Sequence, residues 1–168
     1  DEVIVPAFTW IATANAITLT GATPVFADIQ DDLNIDPASV CRLITSKTKA
    51  IIPVHYAGKV CDMESLNQIA AENNFLLIED ASQAFGAEYK GRKSCSFKNM
   101  ACVSLNPMKV FAACGEAGVI LTDSPHIAEK IKALRYNGMT NRQTCVEPGL
   151  NGRMDTLQAA VLLKRLQS

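Results

Sequence analysis

Apolar residues along the chain follow two alternating rhythms. Short runs, "EVIVP", "TPVFADI", "KAIIPVH" and "FLLIED", read as strands. Between them lie longer stretches of mixed polarity. "TWIATANAITLTG" is a helix closed by Gly21, "DPASVCRLI" has Asp36 as N-cap and Pro37 at its first position, and "DMESLNQIAAENN" is capped by Asp62. Strand, helix, strand repeats three times. Parallel neighbours need long crossovers, and helices supply them. Runs such as "AIIPV" and "FLLI" lack polar alternation, as expected of strands covered on both sides. The pattern predicts an α/β fold: a mainly parallel sheet with helices on both faces, three layers deep.

Beyond residue 99 the rhythm changes. "MACVSL" and "AGVILTD" read as strands, and "NPMKVFAACGE" between them is too short for a crossover helix, so a hairpin or antiparallel pair is expected. "SPHIAEKIKALRYNG" predicts a helix with Ser124 as cap, Pro125 at its first position and Gly138 past its end. Residues 139–150 read as a loop. "MDTLQAAVLLKRLQ" is a last helix, capped by Asp155, with Met154, Leu157, Ala160 and Val161 as its apolar face. No internal repeat or low-complexity linker divides the chain, so residues 1–168 read as one domain.

Composition changes this picture little. With 48% hydrophobic and 20% charged residues, the 168-residue chain can bury a core, and its net charge of -1 offers no basic field for nucleic acid or an anionic membrane. No apolar run approaches the roughly 18 residues of a membrane span, and the chain reads as cytoplasmic. Six cysteines raise the question of a metal. They contain no C-x-x-C pair, and His55 and His126 are the only histidines, so no metal is expected and the cysteines read as reduced thiols, several of them buried.

Chemistry concentrates at two places. In "IEDASQA" a buried strand ends in Glu79 and Asp80, with Gln83 close behind. A carboxylate there is costly to desolvate unless a cation or hydrogen-bond donor meets it. In open parallel sheets ligands sit beyond the carboxyl ends of strands, which is where Asp80 stands. Strand alternation turns Glu79 to the opposite face and makes it structural. His55, at another strand end, is either a border of that pocket or a satisfied structural histidine. The second place is Lys109, in the connector between the two late strands. Its neighbours are small or apolar, and a partly desolvated lysine suits Schiff-base chemistry, although a solvated loop lysine fits the residues as well. An acid for a ring nitrogen and an amine for an aldehyde together suit pyridoxal phosphate.

Five ordered blocks carry a resemblance: "PAFTWIATANAITLTGATPVFADI", "PVHYAG", "IEDASQAFGAEYKG", "VSLNPMKVFAACGEAG" and "NGRMDTLQAA". Over nearly its whole length the chain resembles the DegT/StrS sugar aminotransferases, fold type I enzymes that use pyridoxal 5'-phosphate. The resemblance implies transfer of an amino group from an amino acid such as glutamate to a nucleotide-linked ketosugar. It implies that Lys109 carries the cofactor covalently and moves the proton, that Asp80 pairs with the pyridine nitrogen, and that Gln83 lies near the phenolic oxygen. Trp10 matches the aromatic that stacks on the ring, and Ser104 the serine that reaches the phosphate. Asn151 matches an asparagine given to the neighbouring subunit's phosphate, which implies a homodimer with shared sites. Without the resemblance, Trp10 reads equally as a core aromatic, Ser104 as a strand serine, Asn151 as a turn residue and Gln83 as a turn cap.

The chain departs from the family pattern at Phe85, where a histidine is usual, at "VSL" in place of "FSF", and at "GEAG", where a second glycine usually precedes Gly118. These changes bear on substrate choice more than on chemistry. Family members run to about twice this length. The expectation is therefore the central part of a cofactor-binding large domain, lacking an amino-terminal phosphate-binding turn and a carboxy-terminal small domain. Two alternatives stay beside it. One is a sugar dehydratase of the same fold, in which a histidine replaces the lysine. The other is a noncatalytic fragment.

Overall fold

The computed structural model describes residues 1–97 and 100–167. By contact density the chain forms two compact units, residues 1–104 with 119–121 and residues 105–118 with 122–168.

In the first unit β1 (Glu2–Pro6), α1 (Ile11–Leu19), β2 (Thr23–Ala27), α2 (Pro37–Leu43), β3 (Thr48–Ile51), α3 (Met63–Asn73) and β4 (Leu76–Asp80) follow one another. A small hairpin, β5 (Glu88–Tyr89) and β6 (Arg92–Lys93), leads to β7 (Met100–Ser104), and β8 (Gly118–Leu121) completes a six-stranded sheet in the order β2-β1-β3-β4-β7-β8. The pairs β1 with β2, β1 with β3, β3 with β4 and β4 with β7 are all parallel, as the crossover helices require. Ile4 and Val5 are adjacent on β1 and both fully buried. Successive strand residues point to opposite faces, so both faces of the sheet are covered at β1, whereas β8 is exposed along its length. The main core joins Ile4, Ile51 and Leu77 of the strands to Val40 of α2 and Met63, Leu66 and Ile69 of α3.

The helix starts follow their caps. Asp36 accepts from the N–H groups of Ala38 and Ser39, and Asp62 from the N–H and hydroxyl of Ser65. Strand ends depart from expectation. The second strand stops at Ala27 instead of Ile29, because the Asp28 N–H donates to the Ser39 hydroxyl and Ile29 turns back to pair with Ile35. The third stops at Ile51 instead of His55. Pro53 has no N–H to give to a ladder, and pairing resumes at Val54, opposite Asp80. The β5–β6 hairpin was not expected. Its two-residue turn places Lys90 at φ 51° and Gly91 at φ 76°, the mirror-image turn that hairpins favour. A lysine at the first turn position, where Asn or Asp usually announces such a turn, hid it.

In the second unit α4 (Pro125–Leu134) starts with Ser124 accepting from the Ile127 N–H. Gly138 follows at φ 72°, and a Cβ there would lie 1.5 Å from the Glu147 carbonyl oxygen, so no larger residue fits. The last helix, α5 (Thr156–Arg165), has Asp155 in cap conformation without a side-chain cap bond. Its inward face also differs from expectation. Leu162 is buried while Leu157 is 81% exposed. Two polar anchors set the rotation: Gln158 Oε1 accepts from the Cys114 N–H at 2.8 Å, and the Arg165 guanidinium donates to the Ala112 carbonyl. Residues 158, 162 and 165 share one helical face. Among the described residues no helix is long and apolar enough to cross a membrane.

Candidate active site

Asp80 is the last residue of β4, and its backbone is tied on both sides. Its N–H donates to the Pro53 carbonyl (2.9 Å), its own carbonyl accepts from the His55 N–H (3.0 Å), and the next N–H, of Ala81, donates to Cys102 of β7 (2.9 Å). The half-buried carboxylate is met by donors from within the chain. The Thr13 hydroxyl donates to Oδ2 at 2.9 Å, and the Ser82 N–H donates to Oδ1 at 3.1 Å. Sequence reasoning missed Thr13. Its one signal was a hydroxyl among the buried positions Thr13, Ala14 and Ile17 of α1, where a polar group needs a partner.

Glu79 points to the other face of the sheet, as alternation requires, and is fully buried together with His55. His55 Nε2 and Glu79 Oε2 are 3.1 Å apart. The Cys61 N–H donates to His55 Nδ1, so the proton-bearing nitrogen of the neutral ring is Nε2, which donates to Glu79. The Cys95 N–H donates to the same Oε2 at 2.8 Å, while Oε1 has no partner among the described residues. Of the two readings open for His55, the structure supports the structural histidine. Replacing Glu79 by Ala would strand the buried His55 Nε2–H and the part-buried Cys95 N–H at about 1–3 kcal/mol each. Equilibrium denaturation should report a loss of at least 2 kcal/mol on that basis, roughly; an unchanged midpoint would mean that the pair does not hold the strand ends.

Three cysteines, Cys61, Cys95 and Cys102, are poor nucleophiles here. Burial pushes the Cys61 thiol up to about 12 and, with the Glu79 charge adding to it, the Cys95 thiol up to about 11. Burial, then the charge of Asp80, also raises Cys102. Only Cys61 is fully buried, whereas several buried thiols were expected; Cys41, Cys114 and Cys145 lie at the surface.

The Gln83 side chain reaches beyond its own turn. Its Oε1 accepts from the Ala57 N–H at 2.9 Å, which leaves its amide N–H groups as donors. The anchoring turn, Tyr56–Gly58, places Ala57 at φ 50° and Gly58 at φ 85°. Trp10 stands immediately before α1 and is 74% exposed, so it is not a core aromatic. Ser104 ends β7, two residues beyond Cys102, the residue opposite Asp80. Asp80 and Ser104 thus end parallel strands on one side of the sheet, and Thr13 links α1, the helix that follows Trp10, to Asp80.

Lys109 and Asn151 belong to the second unit. Lys109 is half-buried in a loop fastened at several points: Leu105 N–H to Ala117, Ala113 N–H to Leu105, Lys109 N–H to Asn106, and the two bonds from α5 to Ala112 and Cys114. The described ion pairs within this unit join Lys130 to Glu147 and Lys132 to Glu129, and Lys109 takes part in neither. Asn151 is exposed, bridges to Tyr136, and accepts on Oδ1 from Arg153 Nε at 2.9 Å, so its amide N–H groups also remain donors. Gln158 and Arg165, which hold the Lys109 loop, were not found from the sequence, because helical spacing had assigned the apolar neighbours to the inward face.

Known proteins match this chain along its length. It is 43% identical to the UDP-2-acetamido-2-deoxy-3-oxo-D-glucuronate aminotransferase of Pseudomonas aeruginosa over 99% of the chain and 47% of that protein. Among solved structures, S. venezuelae DesV in complex with a ketimine intermediate superimposes with a TM-score of 0.97 at 39% identity, over 99% of this chain and 45% of DesV. Bacillus subtilis NtdA with bound cofactor PMP gives a TM-score of 0.91 at 38% identity, over 99% of this chain and 38% of NtdA. The chain therefore spans less than half the length of each. The DegT/DnrJ/EryC1/StrS aminotransferase family, whose enzymes depend on pyridoxal phosphate, matches residues 1–168, and the chain belongs to that family.

Proposed function

We propose that residues 1–168 form the cofactor-binding large domain of a pyridoxal phosphate-dependent aminotransferase that moves an amino group from an amino acid such as glutamate to a nucleotide-linked ketosugar. The observation that carries this reading is the half-buried Asp80 carboxylate at a parallel strand end, held by Thr13 and Ser82 with lone pairs to spare, in a chain that retains Lys109. The donor set fits the cofactor: a carboxylate for a ring N–H, the Gln83 amide for a phenolic oxygen, the exposed Trp10 ring for a stacking face, and a half-buried amine. The 3-oxo sugar in the name of the Pseudomonas relative supports the substrate class.

When bound, pyridoxal phosphate supplies an electron sink and carries the amino group between two substrates. In this reading Lys109 holds the cofactor through its amine and, once released, moves the proton at the donor's α-carbon. Asp80 keeps a proton on the ring nitrogen. Gln83 donates to the phenolic oxygen, Trp10 covers one ring face, and Ser104 reaches the phosphate. The retained lysine disfavours a dehydratase. The test is to incubate the complete protein with cofactor, glutamate and a nucleotide 3-ketosugar, and to analyse the sugar by mass spectrometry. An amino sugar with ping-pong kinetics is expected. Loss of water from the sugar without amination would overturn the reading in favour of a lyase, and cofactor binding with no turnover in favour of a noncatalytic protein.

The same reading makes the complete protein a homodimer with Asn151 serving the neighbouring subunit's cofactor phosphate. Its exposure and free amide donors support this. Mixing an Asn151→Ala variant with a Lys109→Ala variant should restore activity that the parents lack or have largely lost, because hybrid dimers contain one site without either defect. No recovery after confirmed subunit exchange would place Asn151 in its own chain's site or outside any site. A cytoplasmic location accords with six thiols that are all unpaired.

A further inference from the structure

The threonines of α1 and its end differ in what their hydroxyls do. Thr18 bonds back to the Ala14 carbonyl at 3.2 Å and Thr20 to the Ile17 carbonyl at 2.7 Å, the usual local outlet for such a hydroxyl. Thr13 instead reaches out of its helix and donates to Asp80 Oδ2, across 67 positions of sequence. It is among the buried polar residues of the chain, and a β-branched side chain in a helix has few rotamers. The Thr9 hydroxyl lies 3.3 Å from the Thr13 hydroxyl. With the Thr13 proton committed to Asp80, its oxygen is left to accept from Thr9, so the three side chains form one directed chain.

An aspartate needs such a partner. Its terminal torsion is broad, and a carboxylate gripped at one oxygen can still swing. The Ser82 N–H holds Oδ1 from the residue's own turn, and Thr13 holds Oδ2 from a separate element. Together they fix the carboxylate plane and the directions of its remaining lone pairs. Gln83, fastened through Ala57, is held by the same kind of device.

We propose that Thr13 is a positioning residue for the reaction: its hydroxyl sets the orientation in which Asp80 meets the cofactor's ring nitrogen. The inference rests on the reading of Asp80 given above. Thr13→Val keeps the shape and removes the donor, Thr13→Ser keeps the donor, and Asp80→Asn tests the underlying reading. All three are made in the complete holoenzyme, with isotope-labelled cofactor to report the ring nitrogen by NMR and with kcat and KM measured separately. Thr13→Val should move the ring-nitrogen signal toward the unprotonated position and lower kcat about tenfold, the scale of a hydrogen bond to a charged group, with KM for both substrates unchanged. Thr13→Ser should restore both readouts. If Asp80→Asn shifts the signal and Thr13→Val leaves it and kcat as in the parent, the proposal is overturned. If Asp80→Asn leaves the signal unmoved, the reading of Asp80 fails first and the proposal falls with it. Should Thr13→Val not fold, Thr13→Ala also lacks the donor and makes the same comparison.

Discussion

Lys109→Ala in the complete protein is expected to abolish amino transfer and leave the fold intact. The loop around residue 109 is fastened by backbone groups and by Gln158 and Arg165, and none of those bonds uses the lysine side chain. Removing a half-buried amine that makes none of these bonds costs little stability. In the function proposed above its loss removes both the covalent tether and the proton carrier, and acid–base catalysis alone contributes about 10²–10⁴-fold. Turnover should therefore fall by about 10⁴-fold or more. Lys109→Arg should be equally inactive, since a guanidinium keeps the charge but cannot form the bond. Two measurements check this: thermal unfolding of the variants against the parent, and product formation under saturating substrates. Turnover within a few-fold of the parent would remove Lys109 from the reaction.

The alternation of strands and helices was legible because α2, α3 and α4 are each announced by a local cap, and Asp36, Asp62 and Ser124 all make the bonds their positions promise, whereas α1 starts at Trp10 without a side-chain cap. Strand ends were less so. Whether Ala27 is the last residue of β2 depends on Ser39, a helix residue that captures the Asp28 N–H, and no period within the strand carries that information. Asp80 stood out because a carboxylate closing an apolar run is costly without a partner. The identity of the partner did not, because Thr13 meets it only after the chain has folded. Likewise His55 and Glu79 are 24 residues apart and become a pair only through the parallel register of neighbouring strand ends. Lys109 could be singled out by its chemistry and by the family resemblance. The anchors of its loop could not, because Gln158 sits beside Leu157 and helical spacing alone favours the leucine for the inward face, which the structure leaves in solvent.

Asp80→Asn should keep the fold and part of the cofactor affinity while lowering kcat by about 10²–10³, the range seen when one preorganised electrostatic partner is removed from an active site. The substitution preserves shape. The amide has one oxygen where the carboxylate has two, so it can satisfy only one of Thr13 and Ser82 in the observed geometry and sets an N–H₂ against the other. Because the site is half-buried, water can serve the displaced donor, and the stability cost should stay near 1 kcal/mol, roughly one net hydrogen bond. The chemical cost is larger. A neutral amide offers no charge to hold a proton on the ring nitrogen, and without that proton the ring draws electrons from the reacting carbon poorly. Measuring kcat separately from cofactor affinity divides the two effects: the first should fall steeply and the second modestly. An Asp80→Asn variant with near-parental kcat would mean that the carboxylate answers only Thr13 and Ser82, and that the strand end beside His55 and Cys102 is a structural joint instead of a cofactor contact.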